Sequence, residues 1–170
     1  MQYFVTGATG FIGKRLVKTL LARKGATVYF LLRKESERKV PELLEYWGTT
    51  KARAIPVFGD LTSKKLGVAA DDIKGLKGSI DALFHLAAVY DLRADEETQI
   101  QANVEGTRNV VEFAKAIESQ PIAAIPFDSK LFGTAANNGQ MIAQVSARHR
   151  TTQMFLQMAQ RLTGHAVTKR

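Results

Sequence analysis

The stretch Val5-Thr6-Gly7-Ala8-Thr9-Gly10-Phe11-Ile12-Gly13 limits what this chain can fold into more than any other. Residues 1–5 form a short apolar run bounded by glycine, the pattern of a buried strand. Beyond the stretch, Phe11, Leu16, Val17, Leu20 and Leu21 recur at helical spacing up to the basic turn and stop of Lys24-Gly25. Three glycines, each three residues from the next, therefore sit where a strand passes into a helix. Gly7 permits a tight turn, Gly10 a close backbone approach, and Gly13 close packing of helix on strand. The unpaired N–H groups of the helix start, with the helix dipole behind them, then face an incoming anion. In that setting Gly7, Thr9, Gly10, Phe11, Ile12 and Gly13 read as the phosphate cradle of a dinucleotide, against the alternative of a merely structural turn.

The rest of the chain repeats the alternation of strand and helix. A β-branched and aromatic run at 26–32 predicts the second strand, followed by a helix through Leu43, Leu44 and Trp47 to Gly48. Residues 53–58 predict the third strand, placed at an edge because Pro56 lacks a ladder donor. Short helical turns around 66–73 lead to a fourth strand at 80–87 and a long helix from about Asp95 to Glu118. Residues 121–127 predict a fifth strand, 130–138 a loop, and Asn138-Gly139 a turn. One last helix carries Met141, Ile142, Val145, Thr152, Phe155, Leu156, Ala159 and Leu162 in a stripe ending at Gly164. Such alternation specifies an α/β, three-layer, doubly wound, Rossmann-like parallel sheet of about five strands, ordered 3-2-1-4-5, in a single domain over 1–170. Its switch point falls between strands one and four, where Gly7 and Gly13 lie, and ligands bind at such points.

Composition removes several classes. The 170 residues fit one domain, and without cysteine there is no disulfide, thiolate metal site or cysteine nucleophile. His85, His149 and His165 are too dispersed for metal-ligand spacing, so no metal is expected. No apolar run approaches the roughly 18 residues of a membrane span, which predicts a soluble, cytoplasmic chain with no membrane partner. The net charge of +8 is scattered rather than gathered in a basic stripe, which argues against nucleic acid. Residues 119–170 nevertheless hold six basic side chains against the single acid Asp128, unlike the balanced segment before them. At the end of the second strand an acid would bond a ribose, whereas Arg33 and Lys34 suit a 2′-phosphate. NADP is therefore expected over NAD, with a pair of solvated loop cations as the plain alternative.

Thr6-Gly7-Ala8-Thr9-Gly10-Phe11-Ile12-Gly13, Gly59-Asp60-Leu61, His85-Leu86-Ala87-Ala88 and Asn103-Val104-Glu105-Gly106-Thr107-Arg108-Asn109 together resemble the extended short-chain dehydrogenase/reductases over residues 1 to about 118. The resemblance implies that Asp60 and Leu61 lie against the adenine and that Ala87 and Ala88 border the cofactor. It also implies that Asn103 supports the sheet and site from the fourth helix. His85 reads as a packed strand residue rather than an acid or base. The family's catalysis needs a tyrosine with a lysine four residues later. Tyr3, Tyr29, Tyr46 and Tyr90 all lack that lysine, so no catalytic residue is assigned and no turnover is expected. Without that tyrosine partner, Ser129 is a polar loop residue.

Residues 125–139 and the helix after them resemble the carboxyl-terminal strand, loop and helix of MinD/ParA-like ATPases, with Pro126 and Asp128 matching a loop near the nucleotide base. That family's phosphate loop is absent, since Lys14-Arg15 follows Gly13, so ATP is not expected. Two half-likenesses meeting near Glu118–Pro121 predict an engineered chimera: a reductase-derived part at 1–118 and a grafted βα unit at 119–170. The expected function is a dinucleotide-binding module that keeps NADP(H) affinity. The alternatives are an oxidoreductase with residual activity, for which Tyr90 would have to supply the acid, and a structural design with no ligand. A weaker reading makes it a polar-localisation partner like the pilus-assembly proteins.

Overall fold

A computed structural model describes residues 1–88, 96–121, 123 and 125–163, with the backbone alone at 96, 98, 101, 162 and 163. The chain divides into two compact units, Met1–Gln120 and Pro121–Arg170, at the place where the charge balance shifts.

The first unit is built on strands β1 (Gln2–Thr6), β2 (Thr27–Leu32), β3 (Ala54–Phe58) and β4 (Ala82–His85), all parallel in the order β3-β2-β1-β4. The central strand shows no alternation of buried and exposed residues. Tyr3, Phe4, Val5 and Thr6 of β1 are all buried, because helices cover both faces of a parallel sheet. Tyr3 and Val5 face one layer, where α1 (Phe11–Leu21) and α2 (Val40–Trp47) contribute Val17, Leu20, Leu43 and Trp47. Phe4 faces the other, with Leu76 of α3 (Ala70–Leu76) and Val110 and Phe113 of α4 (Glu96–Ala116). Phe4 and Phe113 meet at 4.7 Å between ring centres, and Phe30 meets Trp47 edge-on at 5.2 Å. Each such ring removed from water stabilises by about 1.5–3 kcal/mol. Pro56 sits on β3 at the end of the strand order, the edge position its missing N–H requires. Pro41 opens α2, and Gly48 closes it in the left-handed conformation.

The second unit differs from expectation in three ways. Of the expected fifth strand, Ile122 and Ala124 lie outside the described residues, while Pro121, Ala123 and 125–128 belong to no strand. The sheet among the described residues therefore has four strands, not five. Pro121 and Pro126 each remove a ladder donor within a six-residue span, which disfavours pairing there. The expected loop at 130–138 is instead helix α5 (Ser129–Asn137), capped by Asp128, whose Oδ1 accepts the Leu131 N–H at 2.9 Å. Asn138-Gly139 does form a turn, and it closes α5 through N–H bonds from Gly139 and Gln140 to the carbonyls of Ala136 and Ala135.

The expected single last helix is broken into α6 (Ile142–Val145) and α7 (Arg150–Thr163). Polar side chains capture the backbone between them. Thr152 Oγ1 donates to the Ser146 carbonyl at 2.7 Å, Gln153 donates to the Ala147 carbonyl at 2.9 Å, and the Thr151 N–H donates to His149 Nδ1 at 3.2 Å. Gly164, the expected end of the helix, lies outside the described residues.

Candidate functional site

The carboxyl ends of β1, β3 and β4 carry the site. After β1 the chain turns at Gly7 with φ +74°, and the Gly10 N–H closes the turn on the Gly7 carbonyl at 3.0 Å. A methyl group at Gly7 would lie 2.6 Å from the Ala87 N and 2.8 Å from the Leu86 carbonyl carbon, so only glycine fits between the turn and the chain leaving β4. At Gly13 a methyl would collide with the Gly7 carbonyl, so the close packing expected there of helix on strand is instead of helix on the loop that follows β1. Gly10 caps α1 with extended φ and ψ of −75° and 169° and makes no side-chain cap bond, leaving the first N–H groups of the helix unblocked. No acid occupies the first turn of α1. Phe11 and Ile12, 76% and 67% exposed, form an apolar shelf beside those N–H groups. Arg15 stacks on the Phe11 ring at 3.8 Å and donates to the Phe11 carbonyl at 3.0 Å. Thr9 is exposed in the same turn.

Arg33 and Lys34 follow β2, as expected, and the structure separates them. The Lys34 ammonium lies 2.7 Å from the Glu37 carboxylate and 4.3 Å over the Phe58 ring. Arg33 is exposed and close enough to Asp60 to help hold that carboxyl below its ordinary value. The larger causes are Thr62, whose hydroxyl and N–H donate to Asp60 Oδ1 at 2.6 and 2.8 Å. Asp60 is thus a fixed anion after β3. Leu61 beside it is gripped by α4: its side chain packs against Gly106, where a methyl would come within 2.8 Å, and its carbonyl accepts from Asn109 Nδ2 at 2.9 Å.

Just beyond β4, Ala87 lies against the Gly7 turn, and Ala88 follows it at an exposed position. The Leu86 and Ala87 N–H groups both donate to the buried Thr6 Oγ1, each at 3.3 Å. The Thr6 hydroxyl hydrogen is then left for His85 Nδ1 at 2.7 Å, and the His85 Nε2–H points to Thr107 Oγ1 at 3.3 Å. Burial lowers the His85 pKa, which agrees with a neutral ring that accepts at one nitrogen and donates at the other. His85 is accordingly a packed, hydrogen-bonded residue. Asn103 is half-buried on α4, and Tyr90 lies outside the described residues. Among the described residues no cluster of histidine and carboxylate groups could hold a metal ion, and no helix is long and apolar enough to cross a membrane.

The roles of Thr6, Thr107 and Asn109 are not visible in the sequence. They sit inside the recognised motifs, yet their hydrogen bonds run to partners 79, 22 and 48 residues away. Asp128 is another case, since in the structure it serves as a helix cap rather than as a base-side loop residue.

A parallel sheet ordered β3-β2-β1-β4, with a glycine turn at its switch point and an uncapped helix start above it, is the arrangement of a Rossmann-like, dinucleotide-binding fold. The chain belongs to the NAD-binding family described as male sterility protein, whose profile matches residues 5–165. It is 33% identical over 144 residues to a linear gramicidin synthase of Brevibacillus parabrevis, across 80% of this chain and 3% of that protein. It is 28% identical over 154 residues to a putative fatty acyl-CoA reductase of Drosophila melanogaster, across 84% of this chain and 28% of the relative. Among solved structures, the terminal R domain of the myxalamid PKS-NRPS pathway aligns with a TM-score of 0.59 at 26% identity, covering 75% of this chain and 36% of that one. The chain thus spans about a third or less of these relatives' lengths. The family match runs through Glu118–Pro121, so the boundary between two families expected there gains no support from it, and neither does the MinD/ParA-like reading of 119–170.

Proposed function

We propose that the first unit binds NADP(H) through the Gly7–Gly13 turn and the start of α1, with Arg33 receiving the 2′-phosphate. The observation that carries this is the glycine turn itself. It brings the backbone of α1, the Gly7 loop and Ala87 together with no side chain between them, and leaves helix N–H groups beside the exposed Phe11 and Ile12. Asp60 and Leu61 form the adenine side, and Ala87 and Ala88 the opposite border. Lys34 is engaged with Glu37 and contributes only to the field. NADP over NAD rests on Arg33, since a guanidinium pairs with a phosphate in a forked, charge-assisted contact.

The nicotinamide supplies hydride chemistry when bound. The chain's own share is binding and orientation, because no tyrosine is followed by lysine at the fourth position. Some of the relatives are named as reductases, among them a putative fatty acyl-CoA reductase, which supports an acyl thioester as the substrate class of the parent activity. On this reading the chain binds the cofactor without turnover.

Calorimetric titration with NADPH, NADP⁺, NAD⁺ and ATP at one salt concentration tests the reading. Saturable binding favouring NADP(H) is expected, and Arg33→Ala should reduce that preference at least tenfold, on the order of one charge-assisted contact. Equal affinity of the variant for NADP⁺ would refute the role of Arg33.

A chimeric, engineered origin for 119–170 is the second reading, favoured by the unit boundary at Gln120/Pro121 and opposed by a family match that continues to residue 165. A chain ending at Gln120 that still melts cooperatively and binds NADPH would support it. Loss of the fold on that truncation would count against it.

A further inference from the structure

We propose that the turn at 63–67 is a strained brace that aims Asp60 and Leu61 at the adenine end of the dinucleotide, with Leu66 as its positioning residue. The inference rests on the cofactor reading above and adds to it residues that touch no cofactor. Three backbone bonds close the brace into a ring. The Asp60 N–H donates to the Leu66 carbonyl at 2.8 Å, the Leu66 N–H to the Ser63 carbonyl at 2.8 Å, and the Ser63 N–H to the Asp60 carbonyl at 3.1 Å. To return its carbonyl to Asp60, the chain takes three left-handed residues in succession: Lys65 (φ 49°, ψ 32°), Leu66 (φ 61°, ψ 17°) and Gly67 (φ 58°). An L-residue visits that region singly and at a cost, so two non-glycine residues side by side hold strain that the surroundings must maintain.

Two features maintain it. Leu66 is fully buried among Phe4, Val57, Val110 and Phe113, and Leu61 packs against the same cluster, so the brace and the adenine side share one anchor. Gly59 supplies the room. A methyl there would lie 2.2 Å from the Leu66 carbonyl oxygen, which therefore rests directly on the backbone leading into Asp60. The Lys65 side chain is exposed, so its left-handed conformation serves the ring rather than its own packing. Thr62 fixes the Asp60 carboxylate against the local backbone, and the ring fixes that backbone. A loop without the ring would still join β3 to α3, and the carboxylate would lose its direction. That direction matters because a carboxylate only accepts, and the exocyclic amine of adenine donates.

The test compares affinity for NADPH with affinity for its deamino analogue, in which hypoxanthine replaces adenine and a carbonyl replaces the amine. Wild type is expected to favour NADPH about tenfold, the low end for one hydrogen bond to a charged acceptor. Lys65→Pro fixes φ at about −65° and cannot close the ring, and Leu66→Ala removes the buried anchor. Both should bring the ratio close to one, whereas Lys65→Gly, which takes positive φ freely, should keep it. The ratio does not depend on the fraction folded, since both ligands draw on the same folded population. A turn that only stabilised the fold would lower the urea midpoint and both affinities together, leaving the ratio unchanged. A wild-type ratio in Leu66→Ala would overturn the proposal, as would loss of the ratio in Lys65→Gly. Should Lys65→Pro not fold, Leu66→Ala decides. Equal binding of the two ligands by wild type would remove the task of the brace and leave the cofactor reading standing. Binding of neither would end the cofactor reading, and the brace with it.

Discussion

Replacing Gly7 and Gly10 in turn by alanine separates the two things a glycine does in this loop. At Gly7 the φ of +74° costs an L-residue about 1–2 kcal/mol. The added methyl would also sit 2.6 Å from the Ala87 N and 2.8 Å from the Leu86 carbonyl carbon, both backbone atoms of a segment tied to Thr6. Overpacking of that kind costs typically about 1–3 kcal/mol more, so Gly7→Ala should destabilise the first unit by about 2–5 kcal/mol. At Gly10 the φ of −75° suits any residue, and the methyl would meet only the Gly7 carbonyl, at 3.2 Å. The weaker helix cap and the reduced freedom of the unfolded chain then offset each other, leaving a change within about 1 kcal/mol. That methyl nonetheless projects where backbone and phosphate must approach. Urea unfolding read by Trp47 fluorescence, beside NADPH titration, checks both. Gly10→Ala should unfold near the wild-type midpoint and bind at least tenfold more weakly. A Gly7→Ala chain as stable as wild type would refute the steric argument, and a Gly10→Ala chain binding normally would refute the phosphate cradle.

Acid should act in two steps, because His85 and Asp60 both have lowered pKa values in the folded chain. For His85 the unfolded chain takes its proton first, so stability is full above the ordinary value of 6.5 and declines as pH falls through the lower folded value. Urea midpoints measured between pH 8 and 5 should fall, and His85→Gln should flatten that decline. For Asp60 the corresponding loss begins only below about its ordinary 3.8, and Thr62→Ala, which removes the hydroxyl bond, should move the acid transition upward. In the second unit, Asp128→Ala removes the α5 cap and the carboxylate 3.5 Å from His149 Nε2. A loss of about 1 kcal/mol is expected, read as faster amide exchange at Leu131; unchanged protection there would show that the cap is idle.

Much of this protein can be read along the chain because the deciding interactions are local or periodic. The glycine spacing after a short apolar run locates the turn, the helix start and the switch point, since φ preference and strand length are properties of a few neighbouring residues. Pro56 places β3 at an edge for the same reason, by lacking one N–H. Arg33 is visible as the charge after β2. The signals for α5 are also present, with Asp128 before Leu131 and Asn138-Gly139 at its end, though the stretch reads equally as a loop without knowledge of what it packs on. Only the tertiary structure decided that Lys34 turns to Glu37, that α6 and α7 are separate helices, and that Thr6, His85 and Thr107 meet. It also showed that Asn109 reaches back to Leu61. The Thr6–His85–Thr107 and Asn109–Leu61 contacts depend on which distant groups need a partner once the strands are side by side, and no local pattern records that. The Lys34 pairing and the α6–α7 break are local choices between competing polar partners, which hydrophobic periodicity does not register.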